Sequence, residues 1–106
     1  MELSIKDRLY IPALLPKEGN FKDFNHKKEI LRKIGIQAPE REQIGLHENK
    51  DTGRIEWQTE KEEPLMVEFS ADETAYLKKS CEAISDQSLP DDMWGTVEKI
   101  YDASQN

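Results

Sequence analysis

The spacing of apolar residues changes period twice along this chain, and that change limits what it can fold into. Up to residue 34 apolar side chains recur at helical spacing. Between residues 44 and 69 they alternate with polar ones, and from residue 70 helical spacing returns. A helix-spaced stretch cannot bury one face as a strand, nor an alternating stretch as a helix. The predicted fold class is therefore α+β. It comprises amino-terminal helices, a three-stranded antiparallel meander, and two carboxy-terminal helices packed on one face of the sheet. With 106 residues the chain is read as one domain, 1–106, whose ends, 1–3 and 103–106, are expected to fray.

Local signals place the elements. Ser4, with Asp7 three residues on, predicts a capped first helix carrying Ile5, Leu9 and Tyr10, and Pro12 should kink or stop it near Ile11. Pro16 to Asn20 reads as a turn. A second helix is predicted from about Lys22 to Ile34, with Phe24, Ile30, Leu31 and Ile34 on its apolar side and Gly35 ending it. Pro39 to Gln43 is expected to add one further helical turn. Ile44 and Leu46, then Ile55 and Trp57, predict two strands joined by the loop Asn49 to Gly53, where Gly53 supplies a positive φ. Glu60 to Glu63 reads as a solvated connector, and Leu65, Val67 and Phe69 predict the third strand. Ser70 and Glu73 form the clearest capping box, opening a helix with Leu77, Cys81 and Ile84 on its buried stripe. Pro90 lies in the first turn of a last helix whose buried face is Met93, Val97, Ile100 and Tyr101, with Trp94 beside them.

Composition sets the function classes. The chain is 36% apolar and 35% charged, which allows a modest core and fits a domain that completes itself on a partner. No apolar run reaches the ~20 residues that span a bilayer, so no membrane partner is expected. Cys81 is the one cysteine. With it and an amino terminus unlike a signal peptide, the expected compartment is the cytoplasm. Residues 1–42 hold nine Lys/Arg against seven Asp/Glu, whereas residues 43–106 hold six against fifteen. The acidic part argues against a surface that embraces nucleic acid as a whole, but not against a local basic patch.

No phosphate-binding glycine loop, paired-cysteine motif, metalloprotease helix or serine-nucleophile elbow is present. His26 and His47 would need to converge with a carboxylate such as Glu29 or Glu48 to bind metal. They read instead as surface imidazoles, and no cofactor is expected. Cys81 falls on a buried stripe and reads as packing rather than as a nucleophile. Glu60, Glu62, Glu63, Asp91 and Asp92 read as solubilising charge, since acid–base catalysis needs a pocket that shifts a pKa. Lys22, Lys27, Lys28, Arg32 and Lys33 could contact phosphate, although without interleaved aromatics; the plainer reading is a solvated face with pairs such as Glu29–Lys33. Trp94, Trp57 and Tyr101 are the expected protein-interface residues, with Trp94 first, because it borders the apolar arc of its helix.

Three segments together carry a resemblance: Leu14 to Phe21, Gly53 to Trp57, and Val67 to Ser70 with Glu73. In order and spacing the chain resembles a set of small, uncharacterised proteins encoded by bacteriophages and prophages of gut-type bacteria, over residues 3–102. Pro12 departs from that pattern, which has an unbroken apolar helix there. The resemblance implies a setting, a mobile-element product in a bacterial cytoplasm, and no activity or cofactor. The functional expectation is a non-enzymatic accessory protein acting through protein–protein interaction or self-association. A nucleic-acid-associated protein using the basic helix at 22–33 is the alternative. An acidic mimic of nucleic acid and an enzyme with carboxylate chemistry are the minor ones.

Overall fold

A computed structural model describes residues 1–104 of the chain. The elements run β1 (Glu2–Leu3), α1 (Ile5–Leu14), α2 (Phe21–Ile34), α3 (Ala38–Ile44), β2 (His47–Glu48), β3 (Ile55–Glu56), a 3-10 turn (Thr59–Lys61), β4 (Leu65–Met66), α4 (Ala71–Ala83) and α5 (Asp91–Ser104). The fold is α+β, but the expected three-stranded meander is absent. The strands form two separate antiparallel ribbons. β2 pairs with β3, and β4 pairs with β1, setting Leu3 opposite Leu65. The third predicted strand thus meets the amino terminus rather than its neighbour in sequence. Residues 1–3, expected to fray, are held: the Met1 amine donates to the Val67 carbonyl at 2.9 Å, and Leu3 is fully buried. At the other end Ala103 and Ser104 belong to α5, and residues 105–106, also expected to fray, lie outside the described residues.

Nor do the last two helices lie on a sheet. α4 packs against α5 and α2, and α5 packs against α1. Their shared core is Ile11, Leu14, Leu15, Ile30, Ile34, Tyr76, Leu77, Val97 and Ile100, closed at one end by Leu3 and Val67. Two-residue strands bury too little surface to support a helical layer, so the helices bury their stripes on one another.

Both expected capping boxes form. Ser4 Oγ accepts from the Asp7 amide and Asp7 Oδ2 from the Ser4 amide; Ser70 and Glu73 repeat the exchange. α1 continues through Pro12 to Leu14 instead of stopping near Ile11. The Pro12 ring is exposed, while Ile11, Leu14 and Leu15 are buried around it, and that burial offsets the lost backbone bond. α3 extends to Ile44, which had been expected in a strand. Gly45 then takes φ 66° and returns its amide to the carbonyls of Arg41 and Glu42, a left-handed helix end that glycine supplies without steric cost. Gly35 ends α2 with an ordinary negative φ. In the β2–β3 loop Gly53 has φ 72°, as expected.

Arg8 and Asp7 are two of the buried charges that join the helices. Arg8 donates Nε to the Ile34 carbonyl at 2.9 Å and Nη2 to the Gly35 carbonyl at 2.8 Å, and it grips Glu40 with both terminal nitrogens. It therefore caps the carboxyl end of α2 from α1 and holds α3 beside both. Asp7, adjacent to it, accepts from Thr96 Oγ1 at 2.7 Å and from Lys99 Nζ, and so fixes α5 to α1. At the exposed end of the same contact Tyr10 and Lys6 both reach Asp92.

Candidate functional site

With α5 held by α1 on one side, its other side and α4 border a groove of about 590 Å³. Trp94, Val97 and Tyr101 follow one another at i, i+3 and i+7 along α5, and Cys81 of α4 faces them. Glu82, Ser85 and Glu98 complete the lining. The apolar part arises because Trp94 and Tyr101 border the buried stripe of Val97 and Ile100 and are half-covered by it. The groove is thus apolar within and acidic along its edge, a shape that suits an apolar ridge flanked by cations.

Of the three expected interface residues, the structure brings Trp94 and Tyr101 together here. Trp57 lies elsewhere, beyond β3, half-buried, with its indole N–H lacking a hydrogen-bond partner among the described residues. Cys81 and Glu82 were missed as site residues, because only the packing of α4 on α5 brings them to the groove. Cys81 donates weakly to the Val97 carbonyl at 3.8 Å. Burial, with a smaller contribution from Glu82, pushes its thiol up to about 11, so at neutral pH it is protonated and a poor nucleophile. Iodoacetamide at pH 7.5 should label Cys81 at least tenfold more slowly in the folded protein than in denaturant, read by timed mass spectrometry. Equal rates would contradict that environment.

The basic helix is largely engaged with its own protein. Lys27 donates to the Pro16 carbonyl at 2.8 Å, Arg32 pairs with Glu29 at 2.7 Å, and Lys33 pairs with Glu73 at 2.6 Å. Lys22 and Lys28 have no ion-pair partner among the described residues. Phe24, expected in the core, is 55% exposed and Phe21 is 77% exposed. Six residues of helical rotation set Phe24 roughly 120° round from Ile30, off the buried stripe. The two rings stack with centroids 6.4 Å apart, and Lys28 Nζ stands 6.0 Å from the Phe24 ring.

His26 lies on α2 beside Tyr76, and His47 on β2 beside Glu56, so the two do not converge. Among the described residues no three His, Cys, Asp or Glu side chains gather in a metal-binding arrangement, and no helix is long and apolar enough to cross a membrane. The two most buried carboxylates are engaged in structure. Burial opposes ionisation of Asp7, but hydrogen bonds from Lys99, Thr96 and Ser4 outweigh it and hold the carboxyl below its usual range. Glu73 is depressed in the same way, against burial, by Lys33 and Ser70.

No family model matches this chain, and neither does any curated protein or solved structure.

Proposed function

We propose that this protein is a non-enzymatic docking factor, an accessory protein that receives an apolar, basic-flanked protein segment in the α4–α5 groove. The observation that carries this reading is the groove itself: Trp94, Val97 and Tyr101 in helical register, facing Cys81 and edged by Glu82 and Glu98. An amphipathic helix laid into such a groove buries its apolar side and pairs its cations with the acidic edge. The protonated thiol and the engaged Asp7 and Glu73 favour binding over catalysis. The setting implied by the sequence resemblance, a mobile-element product in a bacterial cytoplasm, suits a small accessory factor of this kind.

The test is a fluorescence titration with a synthetic amphipathic leucine–lysine helix as probe. A Trp57→Phe background leaves Trp94 as the one reporter, and it removes an indole N–H that has no hydrogen-bond partner among the described residues. Trp94 emission should change saturably, and Glu98→Lys should weaken binding about tenfold, or ~1.4 kcal/mol. No saturable change, or a titration indifferent to Glu98→Lys, would overturn the reading.

A further inference from the structure

We infer that the occupant of the α4–α5 groove is a second copy of this chain, seated through the Phe21–Phe24 face of α2; the inference rests on the docking role proposed above. The two surfaces match in apolar spacing and are opposite in charge. The groove presents an apolar stripe at i, i+3 and i+7, Trp94, Val97 and Tyr101, edged by Glu82 and Glu98. On α2, Phe21, Phe24 and Lys28 stand at the same i, i+3, i+7 spacing. Both rings are exposed and stacked, and Lys28 is free of ion pairs among the described residues. Exposed adjacent phenylalanines are costly on a surface unless something covers them, and here they sit on a helix whose cations are Lys22, Lys27, Lys28, Arg32 and Lys33 against Asp23 and Glu29. The same division runs through the whole chain, whose first 42 residues are mildly basic and whose remainder is strongly acidic.

A second copy fits better than nucleic acid on this face. A phosphate backbone rewards several free cations, whereas Lys27, Arg32 and Lys33 are already committed to Pro16, Glu29 and Glu73. The acidic edge of one groove can be met by Lys28 alone, which stands one turn beyond Phe24 on the same side of α2. Seating two phenylalanines between α4 and α5 of the partner would add a third helix to that pair in ordinary helix-on-helix packing.

The face and the groove are different surfaces of one chain, so each contact pairs unlike surfaces. Such contacts recur head-to-tail as a ring or filament, or are made twice across a two-fold axis. They also permit complementation: a chain with a damaged face keeps a sound groove, and a chain with a damaged groove keeps a sound face.

Sedimentation velocity of the full chain from about 10 µM to 1 mM tests this. The wild type should associate with rising concentration. Phe24→Asp and Glu98→Lys should each weaken association at least tenfold, and an equimolar mixture of the two should form a heterodimer and nothing larger. Lys28→Glu, which alters only an exposed cation, should act like Phe24→Asp and covers the case in which that variant folds poorly. A wild type that stays monomeric at 1 mM overturns the inference, as does association unchanged in Phe24→Asp and Lys28→Glu, or a mixture that remains monomeric. If the monomeric wild type still binds the leucine–lysine helix, the self-pairing falls and the docking groove stands; if that binding is absent too, both fall. Capture of an oligothymidine through Phe21 and Phe24 by a monomeric protein would likewise overturn self-pairing, assigning the face to nucleic acid.

Discussion

Replacing Arg8 with alanine should lower the stability of the fold by about 3 kcal/mol, toward the lower end of what breaking a buried ion pair costs. The guanidinium is almost wholly buried, and its four contacts go to three different places. Removing it leaves the carbonyls of Ile34 and Gly35 without donors at the end of α2, and each unsatisfied buried acceptor costs about 1–3 kcal/mol. Glu40 is about one-third exposed, so it regains water, which keeps the loss from being larger. For a domain of this size such a loss shifts the thermal midpoint by roughly 10–20 °C. Arg8→Lys should recover only part of it, because an ammonium cannot grip Glu40 with two parallel bonds while also reaching both carbonyls. Urea denaturation of the two variants reads both effects. An unchanged midpoint for Arg8→Ala would mean that α2 and α3 are held without it.

Asp7 carries the second large effect. Asp7→Ala should cost about 2–4 kcal/mol, since it removes the capping box of α1 and leaves the buried Thr96 hydroxyl and Lys99 without their acceptor. The more informative variant is Asp7→Asn, which keeps the shape and removes the charge. The native carboxyl is held below its ordinary value near 4 by Lys99, Thr96 and Ser4, against the opposing effect of burial. Ionised Asp7 therefore stabilises the native state fully above about pH 4 and progressively less as pH falls through the lowered native value. The stability gap between wild type and Asp7→Asn should be widest at neutral pH and shrink below about pH 4. A gap that stayed constant on acidification would show that the charge of Asp7 contributes nothing to folding. Because Asp7 joins α1 to α5, its loss should also loosen the wall of the groove.

What the sequence made legible follows the range of the interaction. The capping boxes at Ser4 and Ser70 and the positive φ of Gly53 were visible because each depends on residues within a few positions. That Trp94 and Tyr101 share one side of α5 was visible because Tyr101 falls on the apolar stripe of that helix and Trp94 beside it. The pairing of β4 with β1 was not, since Leu65 meets Leu3 from more than half the chain away, and alternation says only that a strand exists. Phe24 was misplaced because the buried arc of α2 is narrower than its apolar residues imply; Ile30 and Ile34 define it. Arg8 had a signal that went unused: a single arginine between Ile5 and Ile11 on the buried side of α1 must find acceptors or be excluded. Glu98 was invisible as a site residue, because its place on the groove edge depends on how α5 rolls against α4.

The most direct measurement for the docking account is the pair of Trp94 titrations on Trp57→Phe protein, one with the leucine–lysine helix and one with a leucine–glutamate helix of the same length. The basic helix should bind saturably, about tenfold more weakly to Glu98→Lys and less at added salt, and the acidic helix should not bind. Equal binding of both helices would contradict an acidic-edged groove, and binding of neither would contradict the groove as a docking site.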